Sequence, residues 1–137
     1  MNLIVCVDDR NGMLFHGRRQ SQDRILREDI RRETSGARLW MNSYSAKLFA
    51  QDVCIAEDCL KRAGAGEFCL VEDLDPALAV SHIERIWVYR WNKRYPADRY
   101  FTIPVERAPW RLERSEELIG SSHEKITKDV YCHETIV

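Results

Sequence analysis

Three short runs, Leu3–Val7, Glu67–Val71 and Arg85–Trp91, constrain the fold of this chain more than any other feature. The first is apolar and ends in Asp8-Asp9-Arg10-Asn11-Gly12, a strand followed by a turn. The second is unbroken in its apolar character from Phe68 to Val71, as a strand covered on both faces must be. The third is β-branched and aromatic, again a strand. Helical patterns lie between them. Ser21 is placed to cap a helix over Gln22–Glu33, with Leu26 and Ile30 inward, Asp23 in its first turn and Gly36 stopping it. Asp75-Pro76 is a helix-start pair, and that helix should end near Ile83.

The remaining elements are a strand at Ala37–Met41, a helix at Tyr44–Gln51, a short strand at Val53–Ala56 and a helix at Glu57–Ala63 closed by Gly64. Near the end, Trp110–Arg114 alternates apolar and charged residues and Val130–Val137 looks extended, with Gly120-Ser-Ser between them. Two strands in succession without a helix make an antiparallel hairpin. The order predicts an α/β fold in three layers: a mainly parallel sheet, helices on both faces, and an antiparallel C-terminal strand.

At 137 residues the chain is expected to form one domain, residues 1–137, with one substantial core. Its 21 Lys+Arg and 22 Asp+Glu nearly cancel, which gives no general pull towards nucleic acid or a membrane. No apolar run reaches membrane-spanning length, and the opening MNLIVCVDD lacks the basic region and cleavage site of a signal peptide. Five scattered cysteines, Cys6, Cys54, Cys59, Cys69 and Cys132, suit reduced thiols in a cytoplasm. Their spacing does not suit zinc, and the four histidines form no metal-binding motif, so no metal is expected.

Several local matches follow the same order as a known family. Val7-Asp-Asp-Arg-Asn-Gly-Met13, Thr34-Ser-Gly-Ala-Arg-Leu-Trp-Met41, Tyr95-Pro-Ala-Asp-Arg-Tyr-Phe101, Trp110, Ser122-His123 and Val130-Tyr-Cys-His-Glu134 resemble successive segments of dihydrofolate reductase. The resemblance covers most of the chain and implies a dihydrofolate reductase-like fold, with a shortened middle between Met41 and Glu67. It implies a cleft contacted by Cys6, Leu14, Leu26, Ile30 and Tyr89, with Arg18 and Arg19 in the adjoining loop as candidates for holding an anion.

The same resemblance places replacements at the working positions of the family. Leu26 stands where the family has the acid that promotes pterin protonation, and leucine can neither give nor accept a proton. Asp23 and Asp29 are the nearby acids and hence the weak catalytic candidates. Leu14 stands at the glycine that admits nicotinamide, and Asn42, Ser43 and Ser45 lie in the segment that binds the cofactor 2′-phosphate. Glu72 and Asp73 replace the glycine pair under the pyrophosphate, where like charge would cost several kcal/mol. These replacements imply a divergent domain without NADPH-dependent folate reduction, and no cofactor, that binds a small anionic ligand or a partner in the cleft. One alternative is a reductase with a rearranged site, which alone would use NADPH. Another is a homodimeric interaction module built on the aromatic strand Trp87, Tyr89 and Trp91; the aromatic and basic residues there also allow nucleic-acid stacking, which neutral net charge disfavours.

Overall fold

The computed structural model describes residues 1–49 and 52–134. Its centre is β1 (Asn2–Val7), paired in parallel with β6 (Phe68–Leu70) on one side and β7 (Arg85–Arg90) on the other. Outside β6 lie β4 (Leu39–Met41) and β5 (Cys54–Ile55), both parallel. Outside β7 the direction reverses in β10 (Ile126–His133), which pairs antiparallel with β7 and with the edge strand β9 (Trp110–Leu118). The seven-stranded order is β5-β4-β6-β1-β7-β10-β9. The mainly parallel sheet and its antiparallel end are as the sequence predicted.

Alternation along the central strands supplies both cores. Leu3, Val5, Val7, Ile86 and Val88 face one side, where α3 (Cys59–Arg62) and the 3₁₀ helix Pro76–His82 contribute Cys59, Ala79 and other apolar side chains. Ile4, Trp87, Tyr89 and Trp91 face the other side, against Leu26 and Ile30 of α1 (Arg24–Glu33). The aromatic strand is therefore core: Trp87, Tyr89 and Trp91 are all buried. Edge strand β9 is almost wholly exposed and carries Arg111, Glu113, Arg114, Glu116 and Glu117, charges that discourage a further strand from adding there.

Several boundaries differ from expectation. Asp23, not Ser21, caps α1: its carboxylate accepts from the Ile25 N–H at 2.9 Å, so Asp23 precedes the first turn instead of lying in it. Asp is as good a cap as Ser, and sequence alone does not choose between neighbours. The helix ends at Glu33 with Thr34 as its C-cap, and Gly36 takes φ +85 in the turn beyond. The helix expected over Tyr44–Gln51 is a short α2 (Ser43–Ala46) capped by Asn42, and Ala50 and Gln51 lie outside the described residues. Asp75-Pro76 does start a helix, but of 3₁₀ type. The hairpin strand expected at Val130–Val137 begins earlier, at Ile126, and residues 135–137 lie outside the described residues.

A second small sheet, β3-β2-β8, was not foreseen. Its strands are β2 (Gly12–Phe15), β3 (Arg18–Arg19) and β8 (Arg99–Tyr100). It starts from the buried Asp8, whose carboxylate accepts from the N–H groups of Gly12 at 2.7 Å and Arg10 at 2.9 Å. Tyr95 N–H and the Gln20 side chain, each at 3.1 Å, hold the other oxygen. These four donors bring the chain back over the carboxyl end of the main sheet and so place Arg19 beside Glu72.

Candidate functional site

A groove runs between α1 and the carboxyl ends of β1 and β6. Cys6, Leu70 and Glu72 come from the sheet side, and Ser21, Leu26, Arg27 and Ile30 come from α1 and its approach. Phe49 and Trp91 also line it. The whole void, its open mouth and the solvent there included, is ≈ 300 Å³. Only ≈ 20 Å³ of it has room for solvent, enough for one or two waters. Leu26 is 3% exposed and Ile30 1%, so these side chains fill the floor.

The expected site residues separate into groups. Cys6, Leu26, Ile30 and Glu72 line the groove. Loss of solvation, with the Glu72 charge adding to it, pushes the Cys6 thiol up, so it stays protonated and is no nucleophile. Leu14 does not line it; it is buried in the opposite core from α1. Tyr89 lies beneath, fully buried, and its hydroxyl donates to Asp29 at 2.7 Å. Arg18 is exposed on the small sheet.

Arg19 is committed to the chain itself. Its guanidinium forks onto Glu72, Nε to Oε2 at 2.9 Å and Nη2 to Oε1 at 3.1 Å, and lies 4.3 Å over the Tyr44 ring. Ser45 Oγ donates to the same Glu72 Oε1 at 2.7 Å. Such planar two-point pairing is the strongest geometry an arginine–carboxylate pair offers. Asn42 Nδ2 donates to Asp73 Oδ1 at 2.7 Å, while Asn42 Oδ1 accepts from the Ser45 N–H. Ser43 is held by Glu57 through both its N–H and its hydroxyl, at 2.9 Å each. Of the five positions that the resemblance assigns to cofactor phosphates, Ser45 and Glu72 bond to each other, Asn42 bonds to Asp73, and Ser43 bonds to Glu57. They do not fit NADPH: Glu72 and Asp73 present carboxylates to a pyrophosphate, and of the two arginines beside them Arg19 is paired with Glu72 while Arg99 donates to the Asp73 carbonyl at 3.1 Å.

The two candidate acids are also occupied. Asp29 is 2% exposed and does not line the groove. It accepts from Tyr89, from Lys128 Nζ at 2.9 Å and from Arg32 at 2.9 Å. Burial alone would raise its pKa, but these three donors outweigh burial and hold the carboxyl below its usual range. Asp23 is 3% exposed at the groove rim. Ser121 N–H at 3.0 Å, Ser122 N–H at 2.8 Å and His123 Nδ1 at 3.0 Å surround it. Here too burial opposes ionisation and is overcome, and the carboxyl lies far below the ordinary carboxylate range. The His123 ring stacks on Trp91 with centroids 4.6 Å apart, and its Nε2 faces Tyr95 OH at 3.0 Å and Ser21 Oγ at 3.1 Å.

His123 and Tyr95 had no assigned role in the sequence, and Ser21 only that of a helix cap, because Asp23 and His123 stand 100 positions apart. The available signal was Gly120-Ser-Ser-His123, a small-residue turn ending in a side chain that both accepts and donates. Gly120 is needed there: a Cβ would lie 2.5 Å from Asp23 Oδ2 and 2.7 Å from the His123 carbonyl. Gly120→Ala should therefore cost about 1–3 kcal/mol by overpacking, measured as a lower urea midpoint with an unchanged slope.

No protein-family model matches the chain, and no curated protein matches it in sequence. In structure it is similar to dihydrofolate reductase from Enterococcus faecalis, solved as a complex with NADP(H) and RAB-propyl. The TM-score is 0.66 at 9% sequence identity, over 96% of this chain and 94% of that one. The chain thus has a dihydrofolate reductase-like fold with a widely diverged sequence. Among the described residues no helix is long and apolar enough to cross a membrane, and no three His, Cys, Asp or Glu side chains converge as metal ligands do.

Proposed function

We propose that this chain is a dihydrofolate reductase-like domain without NADPH-dependent folate reduction, and that its shortened groove takes a small ligand. The apolar body of that ligand would rest on Leu26, Ile30 and Trp91, and a negatively charged end would meet Arg27 at the rim. Arg27 suits this role because its one side-chain partner among the described residues is the neutral Gln22, at 3.2 Å. The observation that carries the reading is the Arg19–Glu72–Ser45 cluster, which spends on internal bonds the groups a dinucleotide phosphate would need. Leu26 supports it, since it stands on the groove floor in place of an acid, and the two carboxylates in the lining, Asp23 and Glu72, are held by His123 and Arg19. The five cysteines are all free, which fits a reducing compartment such as the cytoplasm.

A steady-state assay of NADPH oxidation with dihydrofolate tests the reading. No rate above the protein-free background is expected. A rate that saturates with dihydrofolate would instead favour a reductase with a rearranged acid. For the ligand itself, thermal shift against short-chain carboxylates should raise the transition of the wild type but not that of Arg27→Met.

A further inference from the structure

We propose that Ser21, His123 and Asp23 form an acyl-transfer triad at the rim of the groove, acting on small esters with an apolar acyl chain. The inference rests on the groove admitting a small ligand, as proposed above, and adds a reaction at its edge. The geometry is that of a hydroxyl, an imidazole and a carboxylate in line. Ser21 Oγ lies 3.1 Å from His123 Nε2, and His123 Nδ1 lies 3.0 Å from Asp23 Oδ2. Both the acid and the imidazole are buried, whereas Ser21 is half-buried and lines the groove.

The protonation pattern follows from the partners. Asp23 is held ionised by the Ser121 and Ser122 N–H groups, so it accepts from Nδ1–H and leaves Nε2 as the acceptor that faces Ser21. That is the tautomer a general base needs. Stacking on Trp91 fixes the plane of the ring. Asp23 is thus a positioning residue, and Ser21 and His123 are the catalytic pair.

A tetrahedral intermediate also needs a donor for its oxyanion. Tyr95 OH lies 3.5 Å from Ser21 Oγ. An oxygen on a carbon bonded to Oγ comes within hydrogen-bond reach of that phenol. In the resting enzyme the phenol rests against Nε2 at 3.0 Å, and an arriving substrate takes its proton donor over.

The reaction balances without a further cofactor. Ser21 Oγ bonds to the ester carbonyl carbon while its proton passes to His123 Nε2. The bond from that carbon to the alkoxy oxygen then breaks, and the imidazolium proton goes to the departing alcohol. Water attacks the acyl-serine with His123 again as base, which releases the carboxylic acid and restores Ser21. The net change is ester plus water to acid plus alcohol.

The test is labelling of the purified full chain by an alkyl fluorophosphonate, with peptide mapping by mass spectrometry. Ser21 should carry the adduct, and His123→Gln and Ser21→Ala should each lower the labelling rate by at least about a hundredfold. Tyr95→Phe should slow hydrolysis of p-nitrophenyl butyrate by about a hundredfold while leaving substrate KM nearly unchanged. Asp23→Asn should displace the pH profile of labelling, which a carboxylate that merely capped the helix would not do. Mapping of the wild-type protein needs no variant to fold. An unlabelled protein, or an adduct on a residue other than Ser21, overturns the triad. Labelled Ser21 in a protein that also oxidises NADPH with dihydrofolate would overturn the earlier reading alone. An unlabelled protein that leaves NADPH untouched would overturn the triad alone.

Discussion

Lys128→Met should lower the unfolding free energy by about 3–5 kcal/mol, the largest effect expected of any single side chain here. Lys128 projects from β10 into the core beneath α1 and is 2% exposed. Its ammonium lies 2.9 Å from Asp29 Oδ2, 3.4 Å from Glu33 and 3.5 Å from Glu116. Removing it leaves Asp29 buried with a phenol and one arginine, and leaves Glu33 to its contacts with Arg114 and Trp87. The cost is that of stranding an anion, not of losing a favourable pair. Replacing the group together, with Asp29→Leu, Tyr89→Phe and Lys128→Met, should therefore recover most of the loss. Urea unfolding of the two variants separates these cases. A triple variant as unstable as the single one would mean that the charges themselves, not their mutual burial, hold α1 to the sheet.

Asp23→Ala should cost about 2–4 kcal/mol and should flatten the acid side of the stability profile. About 1 kcal/mol belongs to the lost helix cap. The rest comes from the N–H groups of Ser121 and Ser122, which point at the carboxylate and have no substitute acceptor after the change. The pH dependence follows from the direction of the shift. The folded-state pKa of Asp23 lies below that of the unfolded chain, which is about 4 for an aspartate. Between those two values the unfolded state binds more protons, so stability rises with pH. The contribution is complete above about pH 4–5 and is lost as the pH falls through the folded value. Asp29, Glu33 and Asp8 are depressed in the same sense, so the wild type should lose stability steeply below about pH 4, and Asp23→Ala less steeply. Urea midpoints measured from pH 7 down to pH 3 give both slopes. Parallel curves would show that Asp23 is not ionised against burial in the way its contacts require.

How much of this was legible in the chain depends on the range of each interaction. The strands at Leu3–Val7 and Phe68–Leu70, and the start at Asp75-Pro76, are local: apolar period, turn residues and a capping acid sit within a few positions. Trp87, Tyr89 and Trp91 were readable as one face of a strand, though whether that face met a helix or a partner was not. The small sheet was hidden because Gly12–Phe15 and Arg18–Arg19 carry only Phe15 among strand-favouring residues; the long-range bonds to Asp8 fold them. Arg19 looked like a free cation for an anion because its carboxylate stands 53 positions away. Asp29 stood as a weak catalytic candidate because its partner Lys128 is 99 positions away. Charges that compensate one another across the fold cannot be paired from one sequence, so the replacement of the cofactor-site residues was readable there, and the bonds among them were not.

Glu72 and Asp73 illustrate the difference. In the sequence they mean only that carboxylates stand where a glycine pair would. In the structure each has its own partner, Glu72 the Arg19 fork and Asp73 the Asn42 amide, and these bonds join the small sheet, α2 and the end of β6. A phosphate entering there would have to displace Arg19 from Glu72 and leave a half-buried carboxylate beside it. This is the physical content of the claim that the groove is closed to a dinucleotide.

Titration with NADPH, followed by quenching of Trp40, Trp87, Trp91 and Trp110 and by isothermal calorimetry, tests that claim most directly. The expected result is no saturable signal up to millimolar cofactor, in the wild type and in Lys128→Met alike. A saturable, stoichiometric heat at micromolar NADPH would contradict it, because such binding requires the Arg19–Glu72 pair to open at little cost.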